Sequence, residues 1–166
     1  MANGNKVAII TGGGSGLGQS TAFRLAEEKV NIVVVDISEE GGKETVEMVK
    51  KLGVEAIFIK ADVSKQEDVK KYVDQTVEQF GKIDYFFNNA GISGSGSYFL
   101  DSSIEEIEKI VGINLLGALY GVRYVAEVML KNGGGSIVNT ASSAGVIGQD
   151  SVVTYSATKH GIIGLT

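Results

Sequence analysis

At 166 residues the chain is long enough for one domain with a substantial core. Lysine and arginine together number 15 and aspartate and glutamate 20, so the net charge is −5, no basic footprint for nucleic acid or an anionic membrane is present, and small molecules are the expected partners. Without cysteine there are no disulfides or thiolate metal sites; no apolar leader opens the chain, no run approaches the ~18 apolar residues of a membrane span, and the expected location is the cytoplasm.

The first apolar run, residues 7–10, leads into Thr11-Gly-Gly-Gly-Ser-Gly-Leu-Gly18, and a segment of helical composition follows over 17–29. A strand, a glycine turn and a helix N-terminus place backbone N–H groups and the positive end of a helix dipole where a pyrophosphate can sit. The glycines Gly12, Gly16 and Gly18 depart from the common G-x-G-x-x-G spacing, so the turn closes in a different way, and a purely structural βα connection is the competing reading. The second run, 32–35, ends at Asp36, eighteen residues after Gly18, where a carboxylate can accept hydrogen bonds from an adenosine ribose.

A helix over 39–52, a strand over 56–59 and a helix over 65–80 come next, with Gly53 and Gly81 as helix stops. Asp62, after the third strand in Ala61-Asp-Val63, is placed to meet an adenine amino group; the alternative is a signal for the start of the following helix. The fourth strand, 83–87, ends in Asn88-Asn-Ala-Gly91, small residues that allow a ribose to approach closely. Helices are expected over 104–110 and 114–130, a fifth strand at 137–138, and loops at 93–97 and 133–135. Strands apolar on both faces and alternating with helices predict an α/β fold with a parallel sheet covered on both sides. The 114–130 segment is apolar around nearly its whole circumference, which predicts cover from another subunit or from later parts of its own domain.

Near the end of the chain, Tyr155 and Lys159 stand one helical turn apart and share a face. An ammonium within reach of a phenol favours the phenolate, which turns a group that normally titrates near pH ~10 into a usable general acid/base. The spacing alone is weak, because chance matches are common in a chain with six tyrosines. Its company strengthens it: Ser142 lies thirteen residues upstream and Asn114 further back. His160 faces away from this pair and reads as partly solvated, and no carboxylate and histidine set has metal spacing.

Taken together, Thr11-Gly12-x-x-x-Gly16-x-Gly18, Asp62-Val63, Asn88-Asn89-Ala90-Gly91, Asn114, Ser142 and Tyr155-x-x-x-Lys159 resemble the main branch of the short-chain dehydrogenase/reductases, NAD(P)-dependent oxidoreductases on a Rossmann fold. The extended branch would need glycine at Ser15, and the enoyl-reductase branch would need lysine at Ile162. The resemblance implies a doubly wound parallel sheet and a single dinucleotide-binding domain over 1–166. It implies cofactor contacts from Gly12, Ser15, Gly16, Leu17, Gly18, Asp36, Ile37, Asp62, Val63, Asn89, Ala90, Gly91, Tyr155 and Lys159. Tyr155 would exchange a proton with the substrate oxygen, Ser142 would hydrogen-bond that oxygen, Lys159 would lower the tyrosine pKa and hold the nicotinamide ribose, and Asn114 would position a water linking Lys159 to solvent.

The implied reaction is hydride transfer between nicotinamide and a secondary alcohol or ketone. NAD is expected in preference to NADP, because Asp36 repels a 2′-phosphate and the positions where the family carries a basic residue hold Ser15 and Ile37. Family members continue beyond the tyrosine helix, so the C-terminal strands are expected to be missing after Thr166, leaving a homo-oligomeric dehydrogenase or, alternatively, a non-catalytic nucleotide-binding or assembly fragment.

Overall fold

The computed structural model describes residues 5–96 and 98–166; the first four residues and Ser97 of the expected 93–97 loop lie outside the described residues. Five parallel strands, β1 (Val7–Thr11), β2 (Asn31–Asp36), β3 (Ala56–Lys60), β4 (Tyr85–Asn88) and β5 (Ser136–Asn139), form one sheet in the order β3-β2-β1-β4-β5. The chain first winds outward from β1 through β2 to β3 and then returns to add β4 on the other side of β1. That reversal opens a crevice at the C-terminal ends of β1 and β4, the place where open parallel sheets take their ligands.

Alternation along the strands explains why each reads as continuously apolar. Ala8, Ile10, Ile32 and Val34 pack with Ala22 and Ala26 of α1 (Gly16–Glu27) and with Val46 and Val49 of α2 (Glu39–Lys50). Their neighbours Val7, Ile9, Val33 and Val35 face the opposite way, onto Val69, Tyr72 and Phe80 of α3 (Gln66–Phe80) and Val125 and Met129 of α5 (Gly117–Lys131). Both faces are therefore dry, as a doubly wound sheet requires. The expected helix stops hold, with Gly53 at φ 82° and Gly81 at φ 77°. α1 has no glycine at its end, and Lys29 itself takes the left-handed conformation at φ 63°.

The two helices expected over 104–110 and 114–130 are one continuous run. α4 (Ile104–Val111) passes through a π turn (Gly112–Leu116) straight into α5. By length and composition the 28-residue run is apolar enough to cross a membrane, which corrects the expectation that no segment is. Its apolar content has a place in the fold: Gly117, Ala118, Gly121, Val125 and Met129 are buried, and α5 packs on α3 and β4. The domain covers only that side. Leu116, Leu119 and Leu130 remain exposed, and β5 is an edge strand with Val138 55% exposed.

Candidate active site

A cleft of about 490 Å³ lies over the crevice. Gly12, Ser15, Gly16 and Leu17 form one wall, and Asp36, Ile37, Asp62 and Val63 close the end beyond β2 and β3. Asn89, Ala90 and Gly91 form the floor after β4, and Tyr155 and Lys159 of α6 (Val153–Leu165) complete the other side. Every cofactor residue expected from the sequence lines this space except Gly18, which is buried beneath the loop.

The three fingerprint glycines serve three different needs. Gly12 takes φ 65°, and a Cβ there would stand 3.1 Å from Ala90 Cα; Gly16 takes φ 51° with open space around it. Gly18 has ordinary dihedrals, but a Cβ would lie 2.1 Å from the Gly12 carbonyl oxygen, so only glycine lets α1 come this close to the turn. Ser15 is the N-cap of α1, yet its side chain makes no capping hydrogen bond. The first N–H groups of the helix are thus left for an anion in the cleft.

Asp36 Oδ2 accepts a hydrogen bond from Gly14 N–H at 2.8 Å and Oδ1 accepts one from Ser38 N–H at 2.8 Å. Asp62 Oδ1 accepts from both the N–H and the hydroxyl of Ser64, shaping the turn into α3, while Lys65 is the N-cap residue. Asp62 therefore lines the cleft and also builds the turn before the helix.

The Asn88–Gly91 segment is tied down more heavily than its small residues suggested. Asn88 Nδ2 donates to Asn139 Oδ1 and Ala118 O, joining β4, β5 and α5. Asn89 Nδ2 donates to Thr11 O, its Oδ1 accepts from Thr140 Oγ1, and the Thr11 hydroxyl accepts from the backbone N–H groups of Asn89 and Ala90. Thr140 was not singled out from the sequence, and no local signal marks it. Its carbonyl accepts from Lys159 Nζ at 2.6 Å.

Lys159 is only 4% exposed, and desolvation lowers its pKa from the usual lysine value. Its ammonium sits 5.5 Å from the centroid of the Tyr155 ring. Tyr155 lines the cleft, and among the described residues its hydroxyl has no protein partner. A phenol open to the cleft beside a buried lysine can pass a proton to or from a bound molecule.

Asn114 and Ser142 are not among the residues that line this space, and both make hydrogen bonds beside it. Asn114 sits buried in the π turn, where Oδ1 accepts from Ile92 N–H and Nδ2 donates to Ile92 O and Thr158 Oγ1. Both amide donors are used, and Oδ1 keeps one lone pair. Gly91 leaves open the space between that oxygen and Lys159: a Cβ there would lie 3.3 Å from Asn114 Oδ1 and 3.8 Å from Lys159 Nζ. Ser142 caps a 3-10 turn by accepting from Ala144 N–H, and the turn presses on α6, since a Cβ on Gly145 would stand 2.6 Å from the Lys159 carbonyl oxygen. His160 is exposed, as its reading as a partly solvated residue expects, and its Nδ1 bonds the Ser156 carbonyl of its own helix.

A parallel sheet with the 3-2-1-4-5 order, a glycine turn at its reversal point and a tyrosine–lysine pair across the cleft defines a dinucleotide-binding fold of the Rossmann type. Residues 6–166 match the short chain dehydrogenase family. The chain belongs to that family.

Cyclohexanol dehydrogenase of Acinetobacter sp. (strain SE19) is 44% identical over 162 residues, 98% of this chain. Among solved structures, NAD+-bound xylitol dehydrogenase superposes with a TM-score of 0.94 at 39% identity over 99% of the chain and 64% of its own. A variant of actinorhodin polyketide ketoreductase with NADPH superposes with a TM-score of 0.94 at 36% identity over 100% of the chain and 64% of its own. The chain spans 64% of the length of the curated relative.

Proposed function

We propose that the protein is a nicotinamide-dependent oxidoreductase interconverting a secondary alcohol and a ketone, with NAD preferred over NADP. The observation that carries this reading is the shared cleft: Tyr155 and Lys159 face the same 490 Å³ space as the glycine turn and Asp36. The relatives named for cyclohexanol and xylitol support alcohol chemistry.

Nicotinamide supplies the hydride chemistry when bound. The first turn of α1 holds the pyrophosphate, Asp36 and Ile37 meet the adenosine ribose, and Asp62 and Val63 flank the adenine. The floor at Asn89, Ala90 and Gly91 admits the second ribose. Tyr155 gives a proton to the substrate oxygen in reduction or takes it in oxidation, and Ser142, held on its turn beside α6, donates to that oxygen. Lys159 holds the ribose hydroxyls, and its positive charge favours the tyrosinate. The gap above Gly91, between Asn114 Oδ1 and Lys159 Nζ, takes a water linking Lys159 to solvent.

Asp36 carries the cofactor preference. Its charge repels a 2′-phosphate, and Ser15 and Ile37 supply no cation to offset it. Fluorescence titration with both cofactors checks this, and equal or tighter NADP binding contradicts it. For the activity, the protein is incubated with NAD and a panel of cyclic and acyclic secondary alcohols, and with reduced cofactor and the matching ketones, following nicotinamide absorbance. Cofactor binding without turnover anywhere in the panel would assign the chain to nucleotide binding alone. The exposed Leu116, Leu119, Val153 and Ile163 on α5, α6 and the π turn give two copies an apolar face on which to associate, and light scattering that finds a monomer at micromolar concentration removes that part of the reading.

A further inference from the structure

The carboxylate of Asp36 is already engaged before any ribose reaches it. Gly14 N–H donates to Oδ2 at 2.8 Å, Ser38 N–H donates to Oδ1 at 2.8 Å, and the Ser38 hydroxyl in turn accepts from Gly41 N–H. The circuit then closes by contact. Gly41 sits so close to the turn that a Cβ on it would be 2.5 Å from the Gly14 carbonyl oxygen, and a Cβ on Gly14 would be 2.9 Å from Asp36 Oδ2. Next to it, Gly13 N–H is bonded to the Val35 carbonyl.

Two successive N–H groups of the glycine turn thus point back into the end of β2 and away from the phosphate path. Those that follow, from Ser15 onward, are left over the cleft. We propose that Asp36 is a positioning residue for the phosphate-holding turn as well as the residue that meets the adenosine ribose, so that the two subsites are coupled through one carboxylate. Gly41 in the first turn of α2 belongs to the same device, because glycine there is what allows the helix to lie against Gly14. This inference rests on the nucleotide-binding reading above for its consequence, but not for its geometry.

The coupling has a consequence for specificity. Replacing Asp36 to admit a 2′-phosphate also releases the turn that holds the pyrophosphate, so NAD affinity falls without a matching gain for NADP.

The test separates the two roles with a ligand that lacks the ribose hydroxyls. ADP and 2′,3′-dideoxy-ADP are titrated calorimetrically against the wild-type chain, Asp36→Asn and Gly14→Ala, whose Cβ pushes the carboxylate off the Gly14 N–H. An amide acceptor replaces a charged one, so Asp36→Asn is expected to weaken 2′,3′-dideoxy-ADP roughly tenfold. Gly14→Ala should do the same, and the double variant should be no worse than either single one. If Asp36→Asn weakens ADP but leaves 2′,3′-dideoxy-ADP unchanged, Asp36 acts through the ribose alone and the proposal is overturned.

Amide exchange of the ligand-free chain gives a readout independent of any nucleotide. In Asp36→Asn the Gly14 N–H should lose protection while Ile9 and Val33 in the sheet keep theirs. Unchanged exchange at Gly14 refutes the positioning role. Selective loss there, with neither nucleotide binding the wild type, sustains the geometry and refutes the nucleotide reading instead.

Discussion

Gly18→Ala tests the closest approach in the glycine turn. The added Cβ would stand 2.1 Å from the Gly12 carbonyl oxygen, 2.7 Å from the Gly12 carbonyl carbon and 2.9 Å from Gly13 Cα, all of them backbone atoms that cannot rotate away. Relief requires α1 to retreat from the turn by about 1 Å, and that movement opens the packing of Ala22 and Ala26, both at 0% exposure against Ile10, Ile32 and Val34. Overpacking of this kind costs about 3 kcal/mol, which for a domain of this size lowers Tm by roughly 6–12 °C.

Gly16→Ala is the control. It meets no atom within 4 Å and carries only the left-handed penalty of its φ of 51°, about 1–2 kcal/mol. Scanning calorimetry and NAD titration of both variants should therefore rank Gly18→Ala below Gly16→Ala in stability, and place both below wild type in cofactor affinity. A Gly18→Ala protein that melts and binds like wild type would show that helix and turn are not in the contact described.

Tyr155→Phe removes the proton-transfer hydroxyl and little else, so steady-state kinetics should show turnover down by at least ~10²-fold with NAD affinity nearly intact; near-normal rates contradict the role. Lys159→Met removes an ammonium whose burial opposes its charge, so calorimetry should find the variant as stable as wild type or more so, while NAD affinity and turnover both drop. The same burial sets a sign: because the folded-state pKa of Lys159 is lowered, the unfolded chain binds the extra proton, and wild type gains stability as the pH rises from that lowered value toward 10.5. Lys159→Met should lack that gain in urea melts. Tyr72→Phe deletes a hydroxyl that is buried between α3 and α5 and has no partner among the described residues, and it should raise stability by about 1 kcal/mol in chemical denaturation; a loss would reveal a hidden partner.

The alternation of strands and helices was legible because short apolar runs, the first four of them packed on both faces, are separated by segments of helical composition. The π turn was not. Residues 111–113, around Gly112, read as a break between helices, and nothing local says that the helix instead continues with a wider turn. What holds that turn is tertiary: Asn114 exchanges two hydrogen bonds with Ile92 and one with Thr158, residues 22 and 44 positions away. A π turn within a helix is the kind of irregularity that clusters at functional sites, and here it carries a residue that binds the segment following Gly91, beside Lys159.

The Asn88–Gly91 segment shows a second kind of illegibility. From sequence, its asparagines belong to an ordinary turn that a ribose can approach, and Asn89 does line the cleft. Yet its amide is spent inward. Thr11 O accepts from Asn89 Nδ2, Asn89 Oδ1 accepts from Thr140 Oγ1, and Thr140 O accepts from Lys159 Nζ, a chain that runs from the end of β1 to the α6 lysine in three hydrogen bonds. Each member lies in a different segment, so spacing along the sequence holds no trace of it.

The physical effect is to join the glycine turn and the lysine to a common frame. A shift of Lys159 Nζ strains the bond to Thr140, and the strain passes through Asn89 to the residue that begins the turn. Thr11, Asn89 and Thr140 act in this account without touching a reacting atom: they fix the distance between the glycine turn, proposed above to hold a pyrophosphate, and the tyrosine–lysine pair, proposed to move a proton, and two subsites of one extended ligand need that distance constant.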